Sequence, residues 1–358
     1  MGQYSIKVYR YNPALDNEAT YDYYVFDFNY QPTILEVLKK VREEHDPGLA
    51  FRESCGLGKC GSCALSMNGN PVLACRTPIE KEAVIEPLQN HQIIRDLVGS
   101  RIFHNRPDYL ETPNKAFQWS DRFKDLSNCI ECMICESACP AFGYSSSEFQ
   151  GPASLVQLSR LLNHPMDLGS QEDIAWIDGI HNCTACMTCD HVCPKDVNPF
   201  RNGILALRSA IAEKQLELPI MQQGLTDQYD KTGSVVPMKQ KKIEHLAVND
   251  FSKTAIFLGC MFTDRYPEEG MEILNLLMYM DIKVQIPDGL ACCGGPLMWV
   301  GERKHAEEAF ETNVKAMIDA KVDRVITPCP GCGLTLKKDY NDYYRAKTGK
   351  ALPFEVVD

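Results

Sequence analysis

Seventeen cysteines fall into four groups whose spacing suits iron ligation better than disulfide pairing. The first group is Cys55-x4-Cys60-x2-Cys63, with Cys75 after eleven further residues. This is the plant-type 2Fe-2S spacing. Gly56, Gly58 and Gly61 let the loop wrap closely and turn its amides toward sulfur, which compensates the negative charge of a thiolate-bound cluster. Zinc is the alternative metal, although a gap of four, then two, then a distant fourth cysteine is rare among zinc sites. Gly56-x-Gly58-x-x-Gly61 also satisfies the dinucleotide fingerprint literally. No dinucleotide is expected there, because the segment carries ligands and does not join a strand to a helix.

The second and third groups repeat each other. They are Cys129-x2-Cys132-x2-Cys135-x3-Cys139-Pro140 and Cys183-x2-Cys186-x2-Cys189-x3-Cys193-Pro194. In a two-cluster arrangement of this bacterial ferredoxin run, the fourth cysteine of each copy serves the other cluster. Cys129, Cys132, Cys135 and Cys193 are thus expected to hold one 4Fe-4S cubane, and Cys139, Cys183, Cys186 and Cys189 the other. Pro140 and Pro194 end each ligand turn without adding an N–H.

Five cysteines remain: Cys260, the adjacent pair Cys292-Cys293 followed by Gly294-Gly295-Pro296, and Cys329-Pro330-Gly331-Cys332. Four would suffice for zinc or a cubane, so a fifth with a vicinal pair points to a less regular centre. A structural zinc knot with a spare thiol is the alternative, and oxidation of the vicinal pair to a strained disulfide is a third. His181 and His191 are read as loop or surface residues rather than ligands. There is no nucleophile elbow, phosphate loop or HExxH pattern. The expected role is electron carriage, with organic chemistry on a partner.

The elements that must position these groups change along the chain. Of 358 residues, 44% are hydrophobic, enough for two or three cored domains. A net charge of -11 without a compensating basic patch excludes a nucleic-acid partner. No apolar run reaches the roughly 18 to 20 residues that span a bilayer, and the first residues lack a signal-peptide layout. A cytoplasmic chain is therefore expected, at most peripheral at the inner face of the membrane through a partner. Residues 1–104 read as strands, including Ser5 to Tyr11 and Tyr21 to Asn29, around one helix. Thr33 and Glu36 can form a capping box for that helix, with Ile34, Leu35, Leu38 and Val41 on its buried face. Residues 105–222 read as helices, such as Ser154 to Leu162 and Arg201 to Gln215, between cysteine-rich loops. Residues 223–252, including Lys239-Gln240-Lys241-Lys242, are polar and aperiodic and are expected to be a linker. Residues 253–358 alternate strands (Thr254 to Leu258, Ile282 to Ile286, Arg324 to Thr327) with helices (Glu268 to Met280, Glu302 to Ala320), which predicts a parallel α/β sheet. Cys260 and Cys329 each lie two residues beyond an expected strand end, where such sheets bind ligands.

With these motifs in place, residues 1 to about 220 resemble the iron–sulfur subunits of succinate dehydrogenase and fumarate reductase. The resemblance rests on Phe51-Arg52-x-Ser54-Cys55, Met67-Asn68-Gly69, Ala74-Cys75, Phe149-x-Gly151-Pro152-Ala153 and Cys193-Pro194-Lys195-x-x-Asn198-Pro199. Residues 254 to 358 resemble the CCG domain found in heterodisulfide reductases, where five cysteines at this spacing hold a noncubane 4Fe-4S cluster. Both halves in one chain are similar to the iron–sulfur subunits of thiol:fumarate reductases. The resemblance implies an α+β multidomain chain: a β-grasp plant-type ferredoxin, an all-α double 4Fe-4S domain and a C-terminal α/β CCG domain. It also implies an FAD-containing flavoprotein partner and a further CCG or membrane-anchor subunit.

Two departures bear on function. Quinone-linked relatives lack a cysteine at the position of Cys186 and keep a 3Fe-4S centre; they also carry two Trp where this chain has Gly143-Tyr144, and a His where it has Thr184. Thiol-linked relatives usually carry two CCG repeats and this chain one, so a second repeat is expected on another polypeptide or on a longer form of this one. The reading is an electron-transfer subunit passing electrons between a flavoprotein and a thiol/disulfide couple or further subunit. Cys260, Cys292, Cys293, Cys329 and Cys332 form the thiol/disulfide site of that reading. The competing readings are a subunit serving a glycolate, lactate or glycerol-3-phosphate dehydrogenase, and a non-catalytic metal-bound scaffold or sensor.

Overall fold

The computed structural model describes residues 2–101, 121–145, 147–164, 167, 169–214, 219–237 and 252–357. They divide into two compact units, Met1–Ile211 and Ala212–Asp358. The expected boundary near residue 104 and the stretch Lys239-Gln240-Lys241-Lys242 lie outside the described residues.

The first unit opens with a five-stranded sheet built from β1 (Gly2–Arg10), β2 (Thr20–Phe28), β3 (Ala64–Met67), β4 (Asn70–Leu73) and β5 (Glu82–Glu86), in the order β2-β1-β5-β3-β4. β1 runs antiparallel to β2 and parallel to β5. The β3–β4 hairpin turns through Asn68 and Gly69, both at positive φ, which is the backbone a two-residue turn requires between right-twisted strands. The helix Ile34–Glu44 carries the expected capping box: Thr33 accepts from the Glu36 amide, and the Glu36 carboxylate accepts from the Thr33 amide. Its buried face is Ile34, Leu35, Val37, Leu38 and Val41, in one core with Ile6, Val8 and Ile85.

A short hairpin, β6 (Ile93–Arg95) with β7 (Val98–Gly99), has no counterpart in the sequence reading. Asp96 at its turn is buried and accepts from Arg10 Nε, the Tyr11 amide and the Ala50 amide, so one carboxylate ties three segments together.

Every element described between residues 121 and 211 is helical. The longest is Gly151–Leu162, packed against the π-helical turn Pro199–Ile204 that leads into Leu205–Glu213. Short helices Ile134–Ser137, Pro140–Tyr144 and Thr188–His191 follow cysteine loops.

In the second unit, β8 (Thr254–Ile256), β9 (Arg324–Ile326) and β10 (Glu355–Val357) form a parallel sheet in the order β10-β9-β8. Helices Pro267–Tyr279 and Arg303–Asp319 lie where the periodicity places them. Three expectations need correction. Ile282 to Ile286 is not a strand: only Gln285 bridges to Ala255, its side chain is used to donate to the Ser252 and Ala320 carbonyls, and Pro287 follows. The first part of the expected linker is the helix Ile220–Thr232, whose Leu225 and Tyr229, four residues apart, pack onto the second unit's core. Because the strands end at Ile256 and Ile326, Cys260 and Cys329 lie further beyond them than the sequence pattern suggests.

Candidate functional site

All seventeen cysteines are described, and none is in a disulfide. Among the described residues no three His, Cys, Asp or Glu side chains converge on a point that could hold a single metal ion.

In the first loop, Gly56, Gly58 and Gly61 all have φ near +66° to +69°. A side chain at Gly61 would stand 2.6 Å from the Ile130 carbonyl oxygen and 2.9 Å from Cys132 Cβ, so glycine there lets this loop touch the second cysteine run. Cys55 Sγ accepts from the amides of Leu57 (3.3 Å) and Lys59 (3.4 Å). Hydrogen bonds from the Cys55 backbone and from Ser62 bring the Cys60 thiol down to about 6, whereas burial pushes Cys63 up to about 11. The Arg101 guanidinium donates to the Gly61 and Ser62 carbonyls at 2.8 and 3.0 Å, clamping the loop from behind. Gly56-x-Gly58-x-x-Gly61 is loop throughout and enters no helix, unlike a dinucleotide-binding turn.

The two repeated runs share an unusual backbone. Glu131 and Met133 in the first, and Ala185 and Met187 in the second, are non-glycine residues at φ between +53° and +65°. Each left-handed residue costs roughly 1–2 kcal/mol and persists only where surrounding structure imposes it. Here the alternation turns the backbone sharply within each cysteine run. The fourth position crosses over: Cys193 lines the same cavity as Cys129, Cys132 and Cys135, walled by Val156 and Val197. Cys139 lies within electrostatic reach of Cys183, Cys186 and Cys189. Burial raises Cys132 to about 11 and holds Cys135 and Cys189 well above the ordinary thiol value. Cys186 is exposed; desolvation raises it, but hydrogen bonds from Thr188, with Oγ1 at 3.3 Å, outweigh that and lower it.

Residues missed by sequence reasoning surround these loops. Arg208, 2% exposed, donates to the carbonyls of Ile180 (3.0 Å) and Cys183 (2.7 Å), placing a fixed cation behind the third group. His181 stacks edge-on against Trp176. A lone Arg within a helical pattern carries no spacing signal, so nothing in the sequence marks Arg208.

In the second unit, Cys292 Sγ lies 3.8 Å from Cys260 Sγ. Hydrogen bonding with the Cys260 and Cys293 thiols holds Cys292 well below the ordinary thiol range, while Cys260 is pushed up correspondingly. Cys332 donates to Cys329 and brings it down to about 6. Gly259, at φ +73°, is required because a Cβ there would meet Cys332 Sγ at 2.7 Å. Adjacent cysteines can serve one centre only if the peptide between them is held in place. Asn313 Nδ2 donates to the Cys292 carbonyl (2.9 Å) and to Tyr340 Oη (2.9 Å), Tyr340 Oη donates to the Cys293 carbonyl (3.0 Å), and the Ala291 amide donates to Asn313 Oδ1 (2.8 Å). Asn313 and Tyr340 are fully buried.

Iron clusters fit these donor sets. Ionising so many buried thiols is costly unless cations replace their protons, and the amides and guanidinium groups behind the loops compensate what charge remains.

Comparison with known proteins follows the same division. Residues 5–103 match a family described as a 2Fe-2S iron-sulfur cluster binding domain, residues 125–197 a 4Fe-4S dicluster domain, and residues 254–337 a cysteine-rich domain. A subunit of the fumarate reductase (CoM/CoB) of Methanothermobacter marburgensis is 33% identical over 351 residues, covering 95% of this chain and 71% of the relative. The mitochondrial succinate dehydrogenase [ubiquinone] iron-sulfur subunit 3 of Arabidopsis thaliana is 31% identical over 227 residues, covering 57% of this chain and 73% of the relative. A chain of the Mycobacterium smegmatis Sdh1 complex shares the fold over 61% of this chain and 99% of its own, with a TM-score of 0.53 at 24% identity. Among the described residues no helix is long and apolar enough to cross a membrane.

Proposed function

The chain belongs to the family of fumarate reductase and succinate dehydrogenase iron–sulfur subunits, and from that premise we propose that it relays electrons between an FAD-bearing flavoprotein subunit and a thiol/disulfide couple or a further subunit. It is an electron-transfer component of an oxidoreductase. Cys55, Cys60, Cys63 and Cys75 hold a 2Fe-2S cluster in this reading. Cys129, Cys132, Cys135 and Cys193 hold one 4Fe-4S cluster, and Cys139, Cys183, Cys186 and Cys189 a second. Cys260, Cys292, Cys293, Cys329 and Cys332 hold a noncubane cluster at the thiol/disulfide end. The three kinds of cysteine group fall within 1–104, 105–222 and 253–358 in this reading, and the complex works on the cytoplasmic side.

When bound, such clusters supply one-electron carriers, so that a two-electron flavin can be drained in single steps. The chain's own residues do the rest. Amides of Leu57 and Lys59 donate to Cys55 Sγ, and hydrogen bonds from the Cys55 backbone and Ser62 favour the thiolate of Cys60. Buried surroundings at Cys63, Cys132 and Cys189 keep water from sulfur. Cys186 supplies a thiol where quinone-linked relatives have none, and Thr184 and Gly143-Tyr144 replace their His and paired Trp, which supports a thiol or protein partner over quinone.

The observation that carries this reading is the crossed grouping, with Cys193 beside Cys129, Cys132 and Cys135 in one cavity. The test is metal analysis and EPR of the anaerobically reconstituted full chain. About 14 iron atoms per chain with matching sulfide are expected. A colourless, zinc-loaded product would refute it. Turnover of the complex with its flavoprotein, comparing thiols with quinols as donors to fumarate, decides the far end of the relay.

A further inference from the structure

Arg101 stands two residues after β7, where the first cysteine loop meets the second cysteine run. Its Nη2 donates to the carbonyls of Gly61 (2.8 Å) and Ser62 (3.0 Å), the two residues that separate Cys60 from Cys63. The same Gly61 lies against the Ile130 carbonyl and Cys132 Cβ, so closely that a side chain there would collide with both. One guanidinium therefore occupies the place where two cysteine groups approach each other. Cys60 and Cys63 of the first group and Cys132 of the second are all within its electrostatic reach.

The charge around it is unbalanced. Among the described residues no carboxylate forms an ion pair with Arg101. Arg52 faces it as a like charge, and burial works against its cation as well. A half-buried guanidinium beside a second cation, with no carboxylate, is costly unless negative charge is supplied from another source. Iron–sulfur centres held by four thiolates supply it, and each gains one more negative charge on reduction. A fixed cation favours the reduced state of every centre it reaches, the more so where little water lies between. Arg208 offers the contrast. It donates to the Ile180 and Cys183 carbonyls, so its charge lies behind the third group.

We propose that Arg101 is a shared electrostatic control for two centres, raising the reduction potentials of the 2Fe-2S centre of the first group and the 4Fe-4S centre of the first run together. The inference rests on the ligand sets given under the proposed function, and it names a residue outside those sets that tunes two of them. The 4Fe-4S centre that includes Cys183 lies outside its control.

The test is an EPR-monitored redox titration of the anaerobically reconstituted full chain, comparing wild type with Arg101→Gln and Arg101→Lys. The glutamine variant is expected to lower the redox equilibrium of both centres by about tenfold, which is about 59 mV for one electron. The centre that includes Cys183 should stay within about twofold. Lysine keeps the charge but loses the planar fork of donors, so that variant should hold both potentials within about threefold of wild type. Arg101→Met serves as a second neutral variant if glutamine prevents loading. A shift below about threefold in the neutral variants, a shift at only one of the two centres, or a lysine variant that falls as far as the glutamine one overturns the proposal. Failure of both neutral variants to load iron would make Arg101 a structural clamp and overturns it as well. The wild-type spectrum separates this inference from the reading beneath it. Absence of the 2Fe-2S and 4Fe-4S signals there refutes the ligand sets themselves, whereas signals that are present and unmoved by loss of the charge leave the ligand sets standing and remove the role of Arg101.

Discussion

Tyr340→Phe deletes one hydroxyl from the centre of the second unit and leaves the ring in place. That hydroxyl donates to the Cys293 carbonyl and accepts from Asn313, and both residues flanking it are buried. The variant therefore strands one carbonyl and one amide N–H out of reach of water. At about 1–3 kcal/mol for each unsatisfied group, the local structure loses roughly 2–6 kcal/mol, against almost no change in packing because the ring stays. The strain falls on the peptide joining Cys292 to Cys293, so its consequence is specific. In EPR of the reduced, iron-loaded chain, the signal of the cysteine-rich half should broaden or shift, and its iron should be lost first on warming. Signals from the three centres of the first unit serve as internal controls and should be unchanged. Asn313→Asp should act more severely, because it keeps the acceptor for the Ala291 amide but sets carboxylate oxygen against the Cys292 carbonyl. A Tyr340→Phe protein with full iron, an unaltered signal and wild-type loss on warming would refute the idea that this network holds the vicinal pair.

Cys292→Ser should leave the clusters of the first unit intact by EPR while uncoupling the flavoprotein from its thiol donor; unchanged thiol-driven turnover would count against the relay. Gly61→Ala should lose the 2Fe-2S signal or shift it strongly, since the added carbon meets the Ile130 carbonyl at 2.6 Å on a backbone of positive φ, and visible circular dichroism reads this directly. Thr33→Ala should lower stability by about 1 kcal/mol through the lost cap, seen as a lower urea midpoint at constant slope. Hydrogen bonds from Thr33 hold the Glu36 carboxylate below its ordinary value of 4.5, so the folded state binds this proton less readily than the unfolded one. The cap's contribution is thus present above that pH and fades as pH falls through it, and the gap between wild type and Glu36→Gln should close on acidification.

Much of this architecture is legible in the sequence because its signals are local. The Thr33 to Glu36 box and the apolar face Ile34, Leu35, Leu38, Val41 need only helical geometry. The cysteine groups are legible because a cluster imposes spacing on its ligands. What is not legible depends on contacts between distant segments. Asp96 joins Arg10, Tyr11 and Ala50 across up to 86 residues without any motif. Arg208 and Asn313 act through backbone carbonyls, which exist at every residue and so leave no compositional trace. The helix Ile220–Thr232 reads as linker because Gln, Asp, Lys and Thr dominate it, while among its described side chains Leu225 and Tyr229 pack on the core. Ile282 to Ile286 misleads in the opposite sense: its composition suits a strand, but the Gln285 side chain and Pro287 stop the ladder after one bridge.

In the proposed ligand assignment, the crossing of Cys193 to the first run and Cys139 to the second has a consequence for biosynthesis. A ribosome releases Cys129 to Cys139 long before Cys193, so the first ring of thiols stays open until 54 more residues have emerged. Neither ring can close as an isolated peptide. The helix Gly151–Leu162 lies within the span that both closures share, and the loop entropy lost in bringing the runs together is paid once for two rings. Maturation should accordingly be coupled for this pair, with half-loaded chains scarce and truncation before residue 183 emptying both rings together.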